Sequence, residues 1–330
     1  MQYKISVIGC GAWGSTIADL LADNGYSVVL FAREEEVVNS INNDNKNTLF
    51  LPNVKLNNNI VAKPFDKIKN DLTEYVVWAV PVVYSHDVLE TYKEELADKH
   101  ILIASKGINY DYKKFVYEII NEQISSYLSV ISGPTFAYEV ATKKPTAVSI
   151  ASKSINIAKI WQKYLSNDYF RVYTTTDIIG VCVGGALKNV VAIATGISDG
   201  LKLGLNARSA LITRGLTEIA RLGLKMGGKL ETFMGLSGLG DLVLTCTGDL
   251  SRNRWVGKCL GEGKKLDEII NNMKSVAEGI YTVKAAKYMQ ILYDVEMPIT
   301  DEVYRILYEN KNIYEAIIDL MNRPLKSEGL

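Results

Sequence analysis

The run Lys4-Ile5-Ser6-Val7-Ile8-Gly9-Cys10-Gly11-Ala12-Trp13-Gly14 decides the fold. Lys4–Ile8 is a short β-branched stretch of the kind that forms a buried strand, and Ser15–Asp23 carries a helical pattern. Between them the glycines fall as G-x-G-x-x-G. In a strand–turn–helix setting each glycine has its own task. Gly9 permits the tight turn, Gly11 lets a pyrophosphate reach the backbone, and Gly14 lets the helix pack on the strand. The helix start then offers unpaired N–H groups and partial positive charge to phosphate. The reading is a dinucleotide-binding βαβ unit that begins at the first strand.

Outward from this turn, short apolar runs alternate with helical patterns as far as about residue 175. Strands are expected at Lys4–Ile8, Val28–Phe31, Asn59–Ala62, Val76–Val80, Ile101–Ala104, Ser129–Ser132 and Thr146–Ala151. Helices are expected at Ser15–Asp23, Val83–Leu96, Tyr112–Ile124 and Asn156–Leu165. Such alternation predicts an α/β domain, an N-terminal Rossmann-like doubly wound sheet, over residues 1–175. Ligands of such sheets bind outside the carboxyl ends of the strands, which places Ser105-Lys106-Gly107 and Gly133-Pro134-Thr135-Phe136-Ala137 at the expected mouth. The Asn-rich stretches Asn42–Asn47 and Asn57–Asn59 read as surface loops. Arg33, just past the second strand, occupies the position that suits the 2′-phosphate of NADP(H), with Glu34 beside it. NADP(H) is therefore the expected cofactor, with NAD(H) as the alternative.

Beyond residue 175 only helical periods remain: Asp177–Ile197, Ala207–Lys225, Leu266–Met273, Tyr281–Leu292, Thr300–Tyr308 and Ile313–Met321. Residues 176–330 are expected to form an all-helical C-terminal domain that binds substrate and carries the catalytic residues. Gly180–Ile197 is apolar enough to span a bilayer, but Lys188 and Asn189 at its centre argue for a buried core helix. An ammonium in apolar surroundings loses affinity for its proton and becomes fit for acid–base exchange with a hydroxyl or ketone. Gly184 and Gly185, one turn back, leave room for a ligand beside it. The alternative is a structural, salt-bridged lysine. Downstream, Gly235–Asp241 leads to a carboxylate among apolar residues, which needs a partner such as Lys188. Ser251-Arg252-Asn253-Arg254 gathers guanidinium, hydroxyl and amide donors that suit a phosphate, or else a plain capped helix start.

The remaining composition excludes more than it selects. Lys plus Arg and Asp plus Glu are each 37, so a general affinity for nucleic acid is not expected. The two histidines, His86 and His100, lack metal-ligand spacing, and the four cysteines contain no CxxC pair. No metal is expected, nor a signal peptide ahead of the first strand, and the chain reads as cytoplasmic.

Taken in order, G-x-G-x-W-G (Gly9–Gly14), S-K-G (Ser105–Gly107), G-P-T-F-A (Gly133–Ala137), G-G-A-L-K-N (Gly184–Asn189), N-A-R-S-A-L-I-T-R-G (Asn206–Gly215), G-L-G-D-L (Gly238–Leu242), S-R-N-R (Ser251–Arg254) and A-E-G (Ala277–Gly279) resemble the NAD(P)-dependent glycerol-3-phosphate dehydrogenases of the bacterial biosynthetic type, nearly end to end. The resemblance implies reversible reduction of dihydroxyacetone phosphate to glycerol 3-phosphate for phospholipid synthesis. It implies Lys188 as proton donor and acceptor, with Asp241 beside it. It places Lys106, Gly133, Thr135, Asp241, Ser251, Arg252 and Asn253 at the substrate. Ala12, Trp13, Arg33, Ala137, Val276 and Glu278 match positions at the cofactor, as does Arg252; Lys106 is carried as a cofactor neighbour too. It further implies a cytosolic homodimer. Two rivals keep the glycine turn: a hydroxy-acid dehydrogenase with a carboxylate anchor, and an NADPH-binding sensor without catalysis.

Overall fold

The structure is a computed structural model that describes residues 4–273, 276–325 and 327–329. By internal packing the chain forms two units, Met1–Ser105 with Lys114–Ile178, and Lys106–Lys113 with Ile179–Leu330.

The first unit is built on an eight-stranded sheet among the described residues. Its strands are β1 (Ile5–Ile8), β2 (Val28–Ala32), β3 (Ile60–Pro64), β4 (Tyr75–Trp78), β5 (His100–Ile103), β6 (Tyr127–Ser132), β7 (Thr146–Ser152) and β8 (Phe170–Thr175). Their order across the sheet is β8-β7-β6-β5-β4-β1-β2-β3. β1 lies between β2 and β4, parallel to both, so the chain winds one way to β3 and the other way from β4. The carboxyl end of β1 is thus the switch point where such sheets take their ligands. β1 and β2 are buried at every residue, as strands covered on both faces must be.

Sheet and sequence differ in four places. β6 and β7 pair antiparallel, Val130 opposite Ala151, with the short helix Ala137–Ala141 in the connection between them. β8 was not anticipated, although Phe170, Arg171, Val172 and Tyr173 alternate buried and exposed as an edge strand should. The helix expected from Tyr112 starts only at Val116, since Phe115 is extended and its N–H is capped by Glu118 at 2.8 Å. Finally, Asn42–Asp44 end a helix, Glu35–Asp44, and Asn47 is fully buried rather than part of a surface loop.

The second unit is helical. Its main helices among the described residues are α1 (Ile178–Gly200), α2 (Leu205–Lys225), α3 (Asp241–Thr247), α4 (Arg252–Gly261), α5 (Glu278–Leu292), α6 (Pro298–Tyr308) and α7 (Ile313–Met321). α1 is long and apolar enough to cross a membrane by composition, yet 94% of its most apolar window is buried. Val190, Ile193 and Ile197 on it pack with Val256, Cys259 and Leu260 of α4 and Ile280 and Val283 of α5.

Candidate functional site

In the first unit the turn after β1 has the shape a pyrophosphate requires. Gly9 has φ +105°, and a Cβ there would lie 2.6 Å from the Ala79 carbonyl oxygen. A Cβ on Gly14 would lie 2.0 Å from the Gly9 carbonyl oxygen, so the helix Ala12–Asp23 sits hard against the turn. Gly11 is different: a Cβ there would meet nothing within 4 Å, and its φ of −57° suits any residue. Nothing inside the protein demands glycine at Gly11, so the open space over its backbone is what the glycine preserves. No side chain caps this helix and its first turn has no acid, leaving its first N–H groups for an anion. The Trp13 indole N–H is buried without a hydrogen-bond partner, a donor left for something else to satisfy. These features fit a bound dinucleotide.

The turn is braced from behind. Asn47 donates through Nδ2 to the Cys10 carbonyl at 2.7 Å and to Ser15 Oγ at 2.8 Å, while its Oδ1 accepts from the Phe50 N–H. Thr16 donates to the carbonyl of Ala137 at 3.1 Å, which ties the G-P-T-F-A loop to the same helix. In that loop Gly133 has φ +148° and abuts Val148, and the Thr135 hydroxyl donates to the Gly133 carbonyl. Arg33 donates through Nε and Nη2 to the one oxygen Oε1 of Glu34, lies 5.9 Å from the Tyr84 ring centroid, and keeps 72% of its side chain exposed. Glu34 also accepts from the Cys10 thiol at 3.4 Å.

In the second unit three charges converge. Asp241 Oδ1 accepts from Lys188 Nζ at 2.6 Å, and Oδ2 accepts from Lys106 Nζ at 2.9 Å. Asp241 and Lys188 are buried. Burial would by itself raise the Asp241 carboxyl, but the ammonium groups of Lys106 and Lys188 hold it below its ordinary value. Burial pulls Lys188 down to about 8, Asp241 partly restores it, and Lys106 pushes the same way as burial. An ammonium lowered in this way has the affinity for its proton that acid–base exchange near neutral pH requires.

The local fold explains the convergence. A Cβ on Gly184 would fall 2.4 Å from the Ser237 carbonyl oxygen. At Gly184, then, backbone fills the space that the sequence reading reserved for a ligand. That backbone is a wide, π-type turn, Leu236–Gly240, which delivers Asp241 at the start of α3.

Two polar residues to which the sequence reading gave no site role, Thr245 and Asn189, complete the arrangement. Thr245 accepts from Lys188 Nζ at 3.0 Å and donates to the Asp241 carbonyl at 2.6 Å. Its signal was available, since it lies four residues after Asp241 on one helix face. Asn189 Oδ1 accepts from Asn253 Nδ2 at 2.9 Å, and Asn253 Oδ1 in turn accepts from the Gly279 N–H at 2.9 Å. A side chain on Gly279 would collide with both asparagines. Ser251 does cap α4, accepting from the Arg254 N–H at 3.2 Å. Arg252 follows at the exposed first position of α4, within electrostatic reach of Glu278 at the start of α5. Val276, just before α5, is half-buried. Among the described residues no three His, Cys, Asp or Glu side chains gather as a metal site would.

A protein of Citrifermentans bemidjiense named glycerol-3-phosphate dehydrogenase (NAD(P)+) is 47% identical to this chain over 341 residues, covering 100% of both. This chain belongs to the NAD-dependent glycerol-3-phosphate dehydrogenase family. The family's N-terminal model matches residues 4–158 and its C-terminal model residues 177–318. The crystal structure of glycerol-3-phosphate dehydrogenase from Coxiella burnetii is similar at a TM-score of 0.92 and 39% identity, covering 98% of this chain and 99% of that one. The enzyme from Saccharomyces cerevisiae is similar at a TM-score of 0.82 and 27% identity, covering 98% and 100%.

Proposed function

We propose that this glycerol-3-phosphate dehydrogenase family member reduces dihydroxyacetone phosphate to sn-glycerol 3-phosphate, reversibly, with NADPH preferred and NADH accepted. The observation that carries the reading is Lys188, a buried ammonium at a single carboxylate, on the helix whose next residue, Asn189, holds Asn253 of the arginine–asparagine helix start.

When bound, the nicotinamide supplies the hydride for carbon 2. The protein's residues manage everything else. Gly9, Gly11 and Gly14 shape the turn, and the N–H groups of Ala12 and Trp13 face the cofactor phosphates. Arg33, largely exposed despite its pairing with Glu34, takes the 2′-phosphate, which sets the preference for NADPH. Ala137, Val276 and Glu278 border the cofactor. The substrate phosphate is gripped by Arg252, Asn253, Ser251 and the N–H groups at the start of α4; Gly133 and Thr135 match substrate positions of the family. Negative charge that builds on the carbon-2 oxygen is met by a proton from Lys188 Nζ and by the positive charge of Lys106. Asp241 and Thr245 aim the Lys188 ammonium. In the reverse direction neutral Lys188 takes the hydroxyl proton. The enzyme works in the cytoplasm as a homodimer and supplies glycerol phosphate for phospholipid synthesis.

The test is loss of NADPH absorbance with dihydroxyacetone phosphate, repeated with NADH. Rapid oxidation, faster with NADPH, is expected. No oxidation by folded protein that still binds NADPH would overturn the substrate assignment and favour a hydroxy-acid dehydrogenase or a sensor.

A further inference from the structure

The glycines on α1 and α4 form a second feature of the helical unit. A Cβ on Gly196 would fall 2.0 Å from the Arg254 carbonyl oxygen, and one on Gly257 2.0 Å from that of Ile193. Gly200 and Gly261 meet the partner helix as closely, at 2.3 Å from Lys258 O and 2.5 Å from Ile197 O. Two glycines spaced one turn apart on each helix thus bring backbone onto backbone. This contact fixes the separation of the helices. Val190, Ile193 and Ile197 of α1 share an apolar cluster with Val256, Cys259 and Leu260 of α4, and the Asn189–Asn253 hydrogen bond pins one end of the helix pair; apolar contacts alone are not directional.

A half-buried ion network adds a second directional tie toward the other end. Asp199 lies on α1 about three turns beyond Lys188, and 9% of its side chain is exposed. Its Oδ2 accepts from Arg254 Nε at 2.7 Å, and its Oδ1 accepts from Arg208 Nε at 2.8 Å. Arg254 also donates through Nη1 to Asp249 at 2.7 Å and through its backbone N–H to Ser251 Oγ. Arg254 therefore ties down both sides of the turn that bears Ser251, Arg252 and Asn253. Asp199 holds one edge of the planar guanidinium, and the solvent-exposed Asp249 meets another.

We infer that Asp199 and Arg254 are positioning residues that hold the phosphate grip at the start of α4 in register with Lys188 on α1. Neither touches substrate. Their work is to convert binding energy from the phosphate into correct placement of carbon 2 at the lysine. The inference rests on the reaction proposed above.

The experiment compares dihydroxyacetone phosphate with unphosphorylated dihydroxyacetone in wild type and Asp199→Asn, at high enzyme concentration for the truncated ketone, with NADPH affinity measured by fluorescence titration. A misplaced grip costs on the order of 10²-fold in kcat/KM for the phosphorylated ketone, with kcat falling as well as KM rising. Turnover of the truncated ketone and NADPH affinity stay at wild-type values. If Asp199→Asn does not fold, Arg254→Lys, which keeps the charge and loses the fork, carries the same comparison. A loss shared equally by both ketones, or no loss on the phosphorylated one, overturns the inference. Wild type inactive on dihydroxyacetone phosphate overturns the reaction assignment instead.

Discussion

The glycine turn and the lysine–aspartate cluster solve opposite problems. The turn after β1 is contiguous in sequence and made of backbone, and it works by what it leaves out: two glycines avoid collision and a third keeps space open. The cluster in the helical unit works by what it puts in. Lys106, Lys188 and Asp241 are distant in sequence, and their charges are meaningful only because burial strips away water. Substitution at the turn should disturb binding and packing. Substitution in the cluster should disturb chemistry and pH dependence.

The largest effect is expected in the cluster. Asp241→Asn leaves two ammonium groups facing each other without a counter-charge. Turnover should fall on the order of 10²–10³-fold, stability should drop by about 3–5 kcal/mol, and the Lys188 titration should move to lower pH. Turnover with a wild-type pH profile would break the assignment of Asp241. Arg252→Ala should raise KM for dihydroxyacetone phosphate about 10- to 100-fold, the loss of a charge-assisted contact. An unchanged KM would remove Arg252 from the phosphate grip.

At the turn the expectation splits between neighbouring glycines. Gly11→Ala should fold with stability within about 0.5 kcal/mol of wild type but bind NADPH about 10-fold more weakly, or ~1.4 kcal/mol. Gly14→Ala must push backbone aside and should cost about 2 kcal/mol or more in stability. Equal behaviour of the two variants in thermal melts would contradict their different roles.

The smallest effect on turnover lies outside both sites. Burial pushes Glu218 up to about 7 from an ordinary 4.5, against donors from the Ile299 and Thr300 N–H groups and the Thr300 hydroxyl. Asp19 in the sheet unit is likewise raised by burial, to about 6. Between the ordinary and raised values the folded protein holds protons that the unfolded chain has released. Stability should therefore fall as pH rises through this window and level off above about 7. Denaturation of Glu218→Gln across the window should show a shallower decline; an unchanged slope would remove Glu218 from the account.

How much of this was legible in sequence follows the same contrast. Gly9–Gly14 could be read directly, because a local motif between a strand and a helix carries its own context. Lys188 stood out as a lone charge in an apolar helix, and Asp241 as a carboxylate needing a partner. Their contact was reachable by elimination. The Lys106–Asp241 pair was not, since no local pattern records a contact 135 residues apart. Asn47 was misread because an asparagine-rich stretch looks solvated by composition, whereas this one spends its amide on the glycine turn. Gly184 was misread for a related reason. A missing side chain signals close approach, but sequence does not say whether ligand or backbone arrives.

The central claim is that cofactor binding belongs to the turn and proton transfer to Lys188. Lys188→Ala tests it most directly, with NADPH affinity and the pH profile of turnover measured on one preparation. Wild-type reduction should decline as pH rises through about 8, as the Lys188 ammonium loses its proton. The variant should bind NADPH as wild type does, lose turnover on the order of 10²–10⁴-fold, and lose that pH limb. Turnover near the wild-type rate, with the limb intact, would contradict the account.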